Sequence, residues 1–389
     1  MRRPLAVATI ALGAVAVLLV SVFLFYYVVP GALQPEEEWS RTYGPYEGYA
    51  IIQTADGGYA VAGVNATKSD RGFGDYLPTL IKTNQIGDLE WKKTYTSDSD
   101  VGLAATWLVQ TEDLGYALSG VGWLLKTDSE GNLKWTQTYR SLGRCYAIQT
   151  SDEGYVLASY EKNETSNMDY AVLLRLDSQG NIIWNETFAG GQSNVRANVV
   201  TETEGGYGLA GFWGDQFWFA ETDVNGNLRW NQTYNLSDAG GGFKSVAKTN
   251  DGGYVLAGTS ALSGVWLMKS DSQGNLQWSL NFPHGGFDSV TQTDDGGCVA
   301  AGQSLIIKTN SMGSIEWNAT SSQLDGLRAH SVITTDDDGY ALTGVVNQTT
   351  VGIVKLRADT EAFVSSVWIT VVVAIAATAV VILYLWRKK

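Results

Sequence analysis

"TNDGGYVLAG" at 249–258 is one of seven near-copies spread along the chain. The others are "TADGGYAVAG" (54–63), "TEDLGYALSG" (111–120), "TSDEGYVLAS" (150–159), "TETEGGYGLA" (201–210), "TDDGGCVAAG" (293–302) and "TDDDGYALTG" (335–344). An internal repeat overrides any domain count drawn from a length of 389 residues, because one closed array can absorb the whole chain. With 44 Gly, 19 Tyr and 14 Trp against 6 Pro, the composition favours twisted strands and tight glycine turns.

Downstream of 249–258 the chain reads "VWLMKSD", "SQGN" and "LQWSLNF". Apolar and polar residues alternate with a period of two and break at Gly turns, which predicts four short antiparallel strands per repeat, a to d in chain order. A second signature, Asp-x-x-Gly-x-x-x-Trp, marks the turn from c to d: Asp128/Gly131/Trp135, Asp177/Gly180/Trp184, Asp223/Gly226/Trp230 and Asp271/Gly274/Trp278, with Asn in place of Asp at Asn84/Gly87/Trp91 and Asn310/Gly313/Trp317. The Asp or Asn side chain closes an Asx turn, Gly takes positive φ, and the Trp is placed to pack on the neighbouring sheet. Four-stranded units repeating every roughly 40–50 residues predict a β-propeller. The seventh repeat lacks its fourth strand, while the chain opens with an orphan fourth strand, "EEEWSRTYG" from 36. Trp39 is therefore the missing Trp of the seventh blade, and the ring closes without a free sheet edge between its ends.

"KTDSEGNLKW" (126–135) resembles the repeat of pyrroloquinoline-quinone-type, tryptophan-docking propellers, and the whole unit with its "DGGY" turn is similar to the propellers of uncharacterised archaeal and bacterial surface proteins. The resemblance spans about 39–363 and rests on motifs that specify blades, not ligands. It implies docking Trp residues at Trp39, Trp91, Trp135, Trp184, Trp230, Trp278 and Trp317. No adjacent cysteine pair of the quinone enzymes is present, and the blade count is seven where those enzymes have eight.

The two ends differ in kind. Residues 5–29 and 364–386 are uncharged apolar runs, flanked by Arg2 and Arg3 and by Arg387, Lys388 and Lys389. Each is long enough to cross a bilayer of roughly 30 Å. Cationic flanks favour the cytoplasm, so the expected order is a cytoplasmic stub (1–4), a transmembrane helix (5–29), a linker (30–38), an extracellular seven-bladed propeller (39–363), a second helix (364–386) and a cytoplasmic tail (387–389). A cleaved signal peptide is the alternative for the first run, although it exceeds the usual apolar core of such peptides. The formal net charge is −14, which disfavours nucleic acid and anionic lipid headgroups as partners. Cys145 and Cys298 fall in distant repeats, so no disulfide is expected between them.

Connections from a to b and from c to d are short and uniform. Those from b to c ("YEKNETSNMDY" from 160, "FWGDQF" from 212) and from d to a ("NLSDAGGG" from 235) vary. In an up-and-down blade the two variable sets share one face, which is where binding is expected. Both chain ends fall on the uniform face, placing it toward the bilayer. Seven sequons, Asn65, Asn163, Asn185, Asn231, Asn235, Asn318 and Asn347, are candidate glycosylation sites. Asp56, Asp113, Asp152, Glu204, Asp251, Asp295 and Asp337 supply one carboxylate per a-to-b turn. A cation ring is conceivable from them, yet hairpin chemistry accounts for every one. The acidic stretch 98–102 lacks the distal Glu of a calcium loop. His284 and His330 stand in different repeats, and no nucleophile elbow, zinc motif or phosphate loop occurs. Trp213, near a variable loop, is the candidate binding-face aromatic; Trp107, Trp123, Trp218 and Trp266 are expected in the core. The reading is thus an all-β, membrane-anchored, non-catalytic, cofactor-free module that binds a surface protein or glycan or acts as a scaffold. A quinoprotein-like oxidoreductase and a structural envelope glycoprotein are the alternatives.

Overall fold

The computed structural model describes residues 35–44, 46–67, 75–96, 104–236, 240–260, 264–347 and 350–357. The apolar runs 5–29 and 364–386, the acidic stretch 98–102 and part of the variable loops lie outside these residues. Among the described residues no helix is long and apolar enough to cross a membrane.

The chain forms seven four-stranded antiparallel sheets, a seven-bladed β-propeller. Blade 1 takes Tyr46–Gln53, Tyr59–Thr67, Asp75–Thr83 and Leu89–Thr94 as strands a to d, and blades 2 to 6 repeat this order. The innermost strands are Tyr46–Gln53, Trp107–Gln110, Tyr146–Gln149, Val195–Thr203, Gly241–Lys248, Ser289–Gln292 and Arg328–Thr334, each touching the next around the ring. Blade 7 is built from both ends of the propeller: Glu37–Thr42 is the outer strand beside Thr350–Leu356, with Trp39 opposite Lys355. The closing strand begins at Glu37, so the last two residues of the expected linker are already strand.

One contact is repeated at six of the seven blade junctions. The c-to-d turn Gly has positive φ, and its backbone lies on the Trp ring of the preceding blade: Gly87 on Trp39, Gly131 on Trp91, Gly180 on Trp135, Gly226 on Trp184, Gly274 on Trp230 and Gly313 on Trp278. A β-carbon there would fall 2.6–2.9 Å from ring carbon, so only Gly permits the approach. The tyrosine closing strand d reinforces it. Tyr43, Tyr95, Tyr139 and Tyr234 donate to the carbonyls of Gly87, Gly131, Gly180 and Gly274 at 2.5–3.0 Å. Burial pushes these phenols well above their ordinary range, which keeps the hydroxyls protonated donors. The Trp also meets the first aromatic of strand b in the next blade edge-on, as in Trp91 with Tyr116 at 5.9 Å and Trp135 with Tyr155 at 5.8 Å. Where Cys298 replaces that Tyr it is buried and free, as is Cys145. Burial pushes both thiols up to about 11, so neither is a thiolate at neutral pH.

The inner strands are stitched near the axis. Ser245 accepts the amide of Val290, Ser289 that of Val332, and Ser331 that of Ile51. At the turn end, Gln110, Gln149, Gln292 and Gln53 accept an amide from the preceding blade's turn at 2.7–2.9 Å.

Two glycines separate backbone strain from docking. At Gly252 (φ 82°) a β-carbon would meet nothing within 4 Å, whereas at Gly274 (φ 78°) it would strike Trp230. Gly252→Ala is expected to cost about 1 kcal/mol, the left-handed penalty alone. Gly274→Ala should cost roughly 1–3 kcal/mol more, because the ring must also move. Equal losses in urea unfolding would show that the Trp contact does not join the blades.

Candidate functional site

The two ends of the channel differ in chemistry. At the turn end, six of the seven predicted carboxylates sit in one recurring clamp. In each, a Thr two residues earlier donates to the Asp, as Thr111 does to Asp113 at 2.6 Å. A turn Gly amide donates as well, and a strand-c cation closes the clamp: Lys82 with Asp56 at 2.8 Å, Lys126 with Asp113 at 2.8 Å, Lys269 with Asp251 at 2.7 Å and Lys355 with Asp337 at 2.9 Å. Arg175 with Asp152 and Lys308 with Asp295 complete the set. The cation stems are buried beside the docking Trp, their cross-strand partner in every case, while the Asp side faces solvent. These carboxylates are fully engaged by turn and cation, and among the described residues no three His, Cys, Asp or Glu groups converge as a metal site.

Glu204 is a correction. Blade 4 joins strands a and b by a two-residue turn, with Thr203 opposite Gly206, so Glu204 never reaches the clamp position. It points outward, 3.7 Å from Lys248. The strand-c cation changes with it: the equivalent residue is Glu221, which pairs with Arg229 at 2.9 Å and accepts from Tyr254. The clamp cations were missed in the sequence, although five of the six stand nine residues before a Trp, from Lys82 and Trp91 to Lys308 and Trp317, and the sixth, Lys355, pairs with Trp39 across the ring closure.

At the other end, where the variable loops gather, the first residues of the inner strands form a polar and aromatic girdle. Lys244 of blade 5 pairs with Asp288 of blade 6 at 2.6 Å, and Asp288 faces His330 Nδ1 of blade 7 at 3.3 Å. The His330 ring packs against Tyr49 of blade 1, centroids 5.3 Å apart. Tyr49 donates to Glu47, and in blade 3 Arg144 hydrogen-bonds Tyr146. Tyr160 carries Arg196 of blade 4 over its face at 4.1 Å, and Arg196 pairs with Asp169 at 2.6 Å. Asn198 then donates to the Phe243 carbonyl of blade 5. Burial opposes ionisation of Asp288, but His330 and Lys244 outweigh it and hold the carboxyl below its usual range. Bulges in strand a at 48/50, 197/199, 243/245 and 329/331 turn four of these positions toward the mouth.

Trp213, the expected binding-face aromatic, ends strand b of blade 4 and is half-buried against Trp218 at 6.1 Å. Trp123 and Trp218 are fully buried, while Trp107 and Trp266 are half-buried. Asn185, Asn231 and Asn318 are exposed on outer strands, and Asn235 is exposed just after one. Asn65 and Asn163 are half-buried, and the Asn163 side chain accepts the amides of Thr165 and Ser166. Asn347 has positive φ.

No protein-family model matches the chain, and no curated protein matches it. Among solved structures it is similar to the Neurospora crassa Pan2 WD40 domain (10% identity, TM-score 0.58, covering 82% of this chain and 95% of that one). It is also similar to the Dos1 propeller (13%, 0.52, 83% and 95%) and to BBS1N in complex with ARL6DN (11%, 0.54, 83% and 97%). At these identities the likeness shows the fold alone, a β-propeller.

The clamps set a pH dependence. Partial burial opposes ionisation of Asp251, but Lys269, Thr249 and the Gly253 amide hold its carboxyl down at about 2, against about 3.9 in an unfolded chain. A depressed carboxyl stabilises above the unfolded value and loses that stability as pH falls toward the folded one. Asp251→Asn, which strands buried Lys269 beside an exposed and screened position, is expected to cost roughly 1–2 kcal/mol at pH 7. In urea titrations the gap from the parent should close between about pH 4 and pH 2; a gap independent of pH would rule out the clamp's charge as its source.

Proposed function

We propose that this chain is a non-catalytic binding module, anchored in the membrane with its propeller outside the cell, that engages a surface protein partner at the girdled channel mouth. The observation that carries the reading is the asymmetry of the ring. One end carries the Asp–Lys clamps, one of them Asp–Arg, and is where residues 36 and 357 leave the ring; the other gathers the variable loops around aromatic and charged side chains drawn from blades 1 and 3 to 7. Aromatic residues and Arg are the groups that concentrate binding energy in protein interfaces. BBS1N, a propeller of similar fold, forms a complex with ARL6DN.

The anchoring part rests on the sequence of the two ends and on where they leave the ring. The Arg357 amide donates to the Glu36 carbonyl at 3.0 Å, so both flanks depart side by side from the turn end. With the apolar runs 5–29 and 364–386 beyond them, this directs the turn end to the bilayer and the mouth away from it. Exposed Asn185, Asn231 and Asn318 on the outer strands would place glycans over blade edges, away from the mouth.

Photo-crosslinking in intact cells tests the partner site. A benzophenone side chain replacing exposed Gln303 at the mouth is expected to trap a protein adduct, and one replacing exposed Glu186 on an outer strand is not. Adducts from Glu186 alone, or from neither position, would overturn the mouth as the binding face. Orientation has its own readout: intact mass should exceed 42.0 kDa by glycan increments, one of which disappears with each of Asn185→Gln, Asn231→Gln and Asn318→Gln. An unmodified mass in the native host, with lysine labelling only after permeabilisation, would remove the extracellular placement.

A further inference from the structure

Exposed apolar side chains are not spread evenly over the ring. Of the twelve large ones that stand exposed among the described residues, eleven belong to the turn end, in the hairpin turns or the first two residues of strand d; Val121, in a b-to-c connection, is the exception. Met312, Ile86 and Val224 sit on c-to-d turns with 78%, 57% and 55% of their surface exposed, and Leu114 sits on an a-to-b turn with 53%. Behind these tips the first residue of strand d is exposed and apolar in blades 1 to 6, from Leu89 to Ile315. Leu114 occupies a left-handed position (φ 61°) that Gly57, Gly252 and Gly296 fill in blades 1, 5 and 6. The chain thus carries a strained, solvent-facing leucine where glycine would fold more easily.

The turns that bear the tips repeat one geometry. The amides of Gly87, Gly226 and Gly313 donate to the carbonyls of Asn84, Asp223 and Asn310 at 3.0–3.1 Å, which brings the tips to one level around the ring. Carboxylates stand between them, so the apolar groups do not merge into the continuous patch that a protein partner covers, whereas a flat surface meets all of them at once. Both flanks leave from this end, joined by the bond from the Arg357 amide to the Glu36 carbonyl. Six residues, 30–35 and 358–363, separate each exit from its apolar run. Six extended residues reach about 20 Å, which bounds the distance from the tips to the bilayer that the runs enter. The face is also acidic. Beyond the clamp and Asx-turn aspartates, carboxylates are exposed on its turns, among them Glu112, Glu130, Glu153, Asp294 and Asp338, and at its exit over residues 36–38. Nearby cations such as Lys134 and Lys248 are already paired, with Asp113 and Glu204. Anionic headgroups are repelled by such a surface, while a zwitterionic headgroup offers it an outermost cation.

We propose that the turn end seats on a bilayer of zwitterionic lipid, its apolar tips entering the headgroup layer and its carboxylates meeting the headgroup cations. This rests on the two terminal runs being anchors and adds what the propeller itself contributes. The tips bury apolar area in the interface, a shallow attachment distributed around the ring. Contact at several blades sets the ring axis along the membrane normal and holds the mouth outward, which two tethers leaving side by side from one blade do not do.

Fluorescence of the full-length chain in phosphatidylcholine nanodiscs tests it. Cys145 and Cys298 are buried, so an environment-sensitive dye attaches selectively to Met312→Cys, Ile86→Cys, Val224→Cys or Leu114→Cys. At each position the emission should shift to the blue, and about half of it should be lost when the lipid carries a nitroxide near the top of its acyl chain, the depth that interfacial side chains reach. The dye on Gln303→Cys, at the mouth, should change in neither respect. Combining Ile86→Ser, Val224→Ser and Met312→Ser should remove the quenching of the dye on Leu114→Cys; quenching that survives would overturn the role of the tips. Exchanging part of the lipid for phosphatidylglycerol should weaken the quenching, and a stronger signal would overturn the zwitterionic partner. Quenching by a headgroup nitroxide alone, or none from a chain that co-elutes with lipid, would overturn the seating and leave the anchors standing. Quenching at the mouth instead of the tips would overturn the seating and the outward mouth together, and a chain that elutes free of lipid would overturn the anchors and the seating with them. The substituted side chains are exposed, so unfolding midpoints should match the parent and separate lost contact from lost fold.

Discussion

The ring is held by a glycine that has no side chain. In six blade junctions a Trp ring lies on the bare backbone of the next blade's c-to-d turn, at a distance that any β-carbon would violate. The contact is local to two neighbouring blades, yet it sets the inclination of each sheet to the next. Six repetitions bring the seventh blade round to meet the chain's beginning. The tyrosine latch onto the same glycine's carbonyl and the edge-on Trp–Tyr pair both depend on that inclination being right. The inner Ser and Gln bridges then fix the blades at the axis, where the girdle side chains stand.

Polar chemistry is divided between the two ends of the channel by the direction of the strands. Strand a starts at the loop end and finishes at the turn end. Its last residues lead into Thr-x-Asp turns whose carboxylates are consumed by strand-c cations. Among its first residues, Lys244, Asp288, His330 and Tyr49 meet one another across blade boundaries. A buried cation at the clamp is satisfied at short range by Asp, by a backbone carbonyl and, in blades 1 and 6, by Glu90 or Glu316 of strand d. The clamps are structural for that reason.

The legible part of the molecule was the part that repeats. Trp39 announced the closing strand because six other Trp residues defined its column, and the Gly-bearing turns located every c-to-d hairpin. The same pattern misled at Glu204, where "TEGGY" imitates "NDGGY" but is one residue shorter between the paired strands, so the carboxylate misses the clamp. Five of the six strand-c cations were readable in principle from their fixed distance to the following Trp, and the exchange of Lys for Glu221 in the very blade with the short turn is the same interaction with its sign altered. The girdle was not readable. Its residues occupy a column in which no two repeats agree, and the bulges that aim them follow from pairing register, which periodicity does not reveal.

The arrangement of the closing blade also has a mechanical consequence. Glu37–Thr42 and Thr350–Leu356 run antiparallel as neighbours, and both flanks leave from the same end of the pair. Tension that draws the flanks apart therefore loads one hydrogen bond at a time, beginning at Glu36 and Arg357 and continuing past the Glu38–Lys355 pair at 3.5 Å. The ladder peels and does not shear, so the ring's weakest direction is lateral separation of its own two tethers, and a load carried through a single tether never samples it.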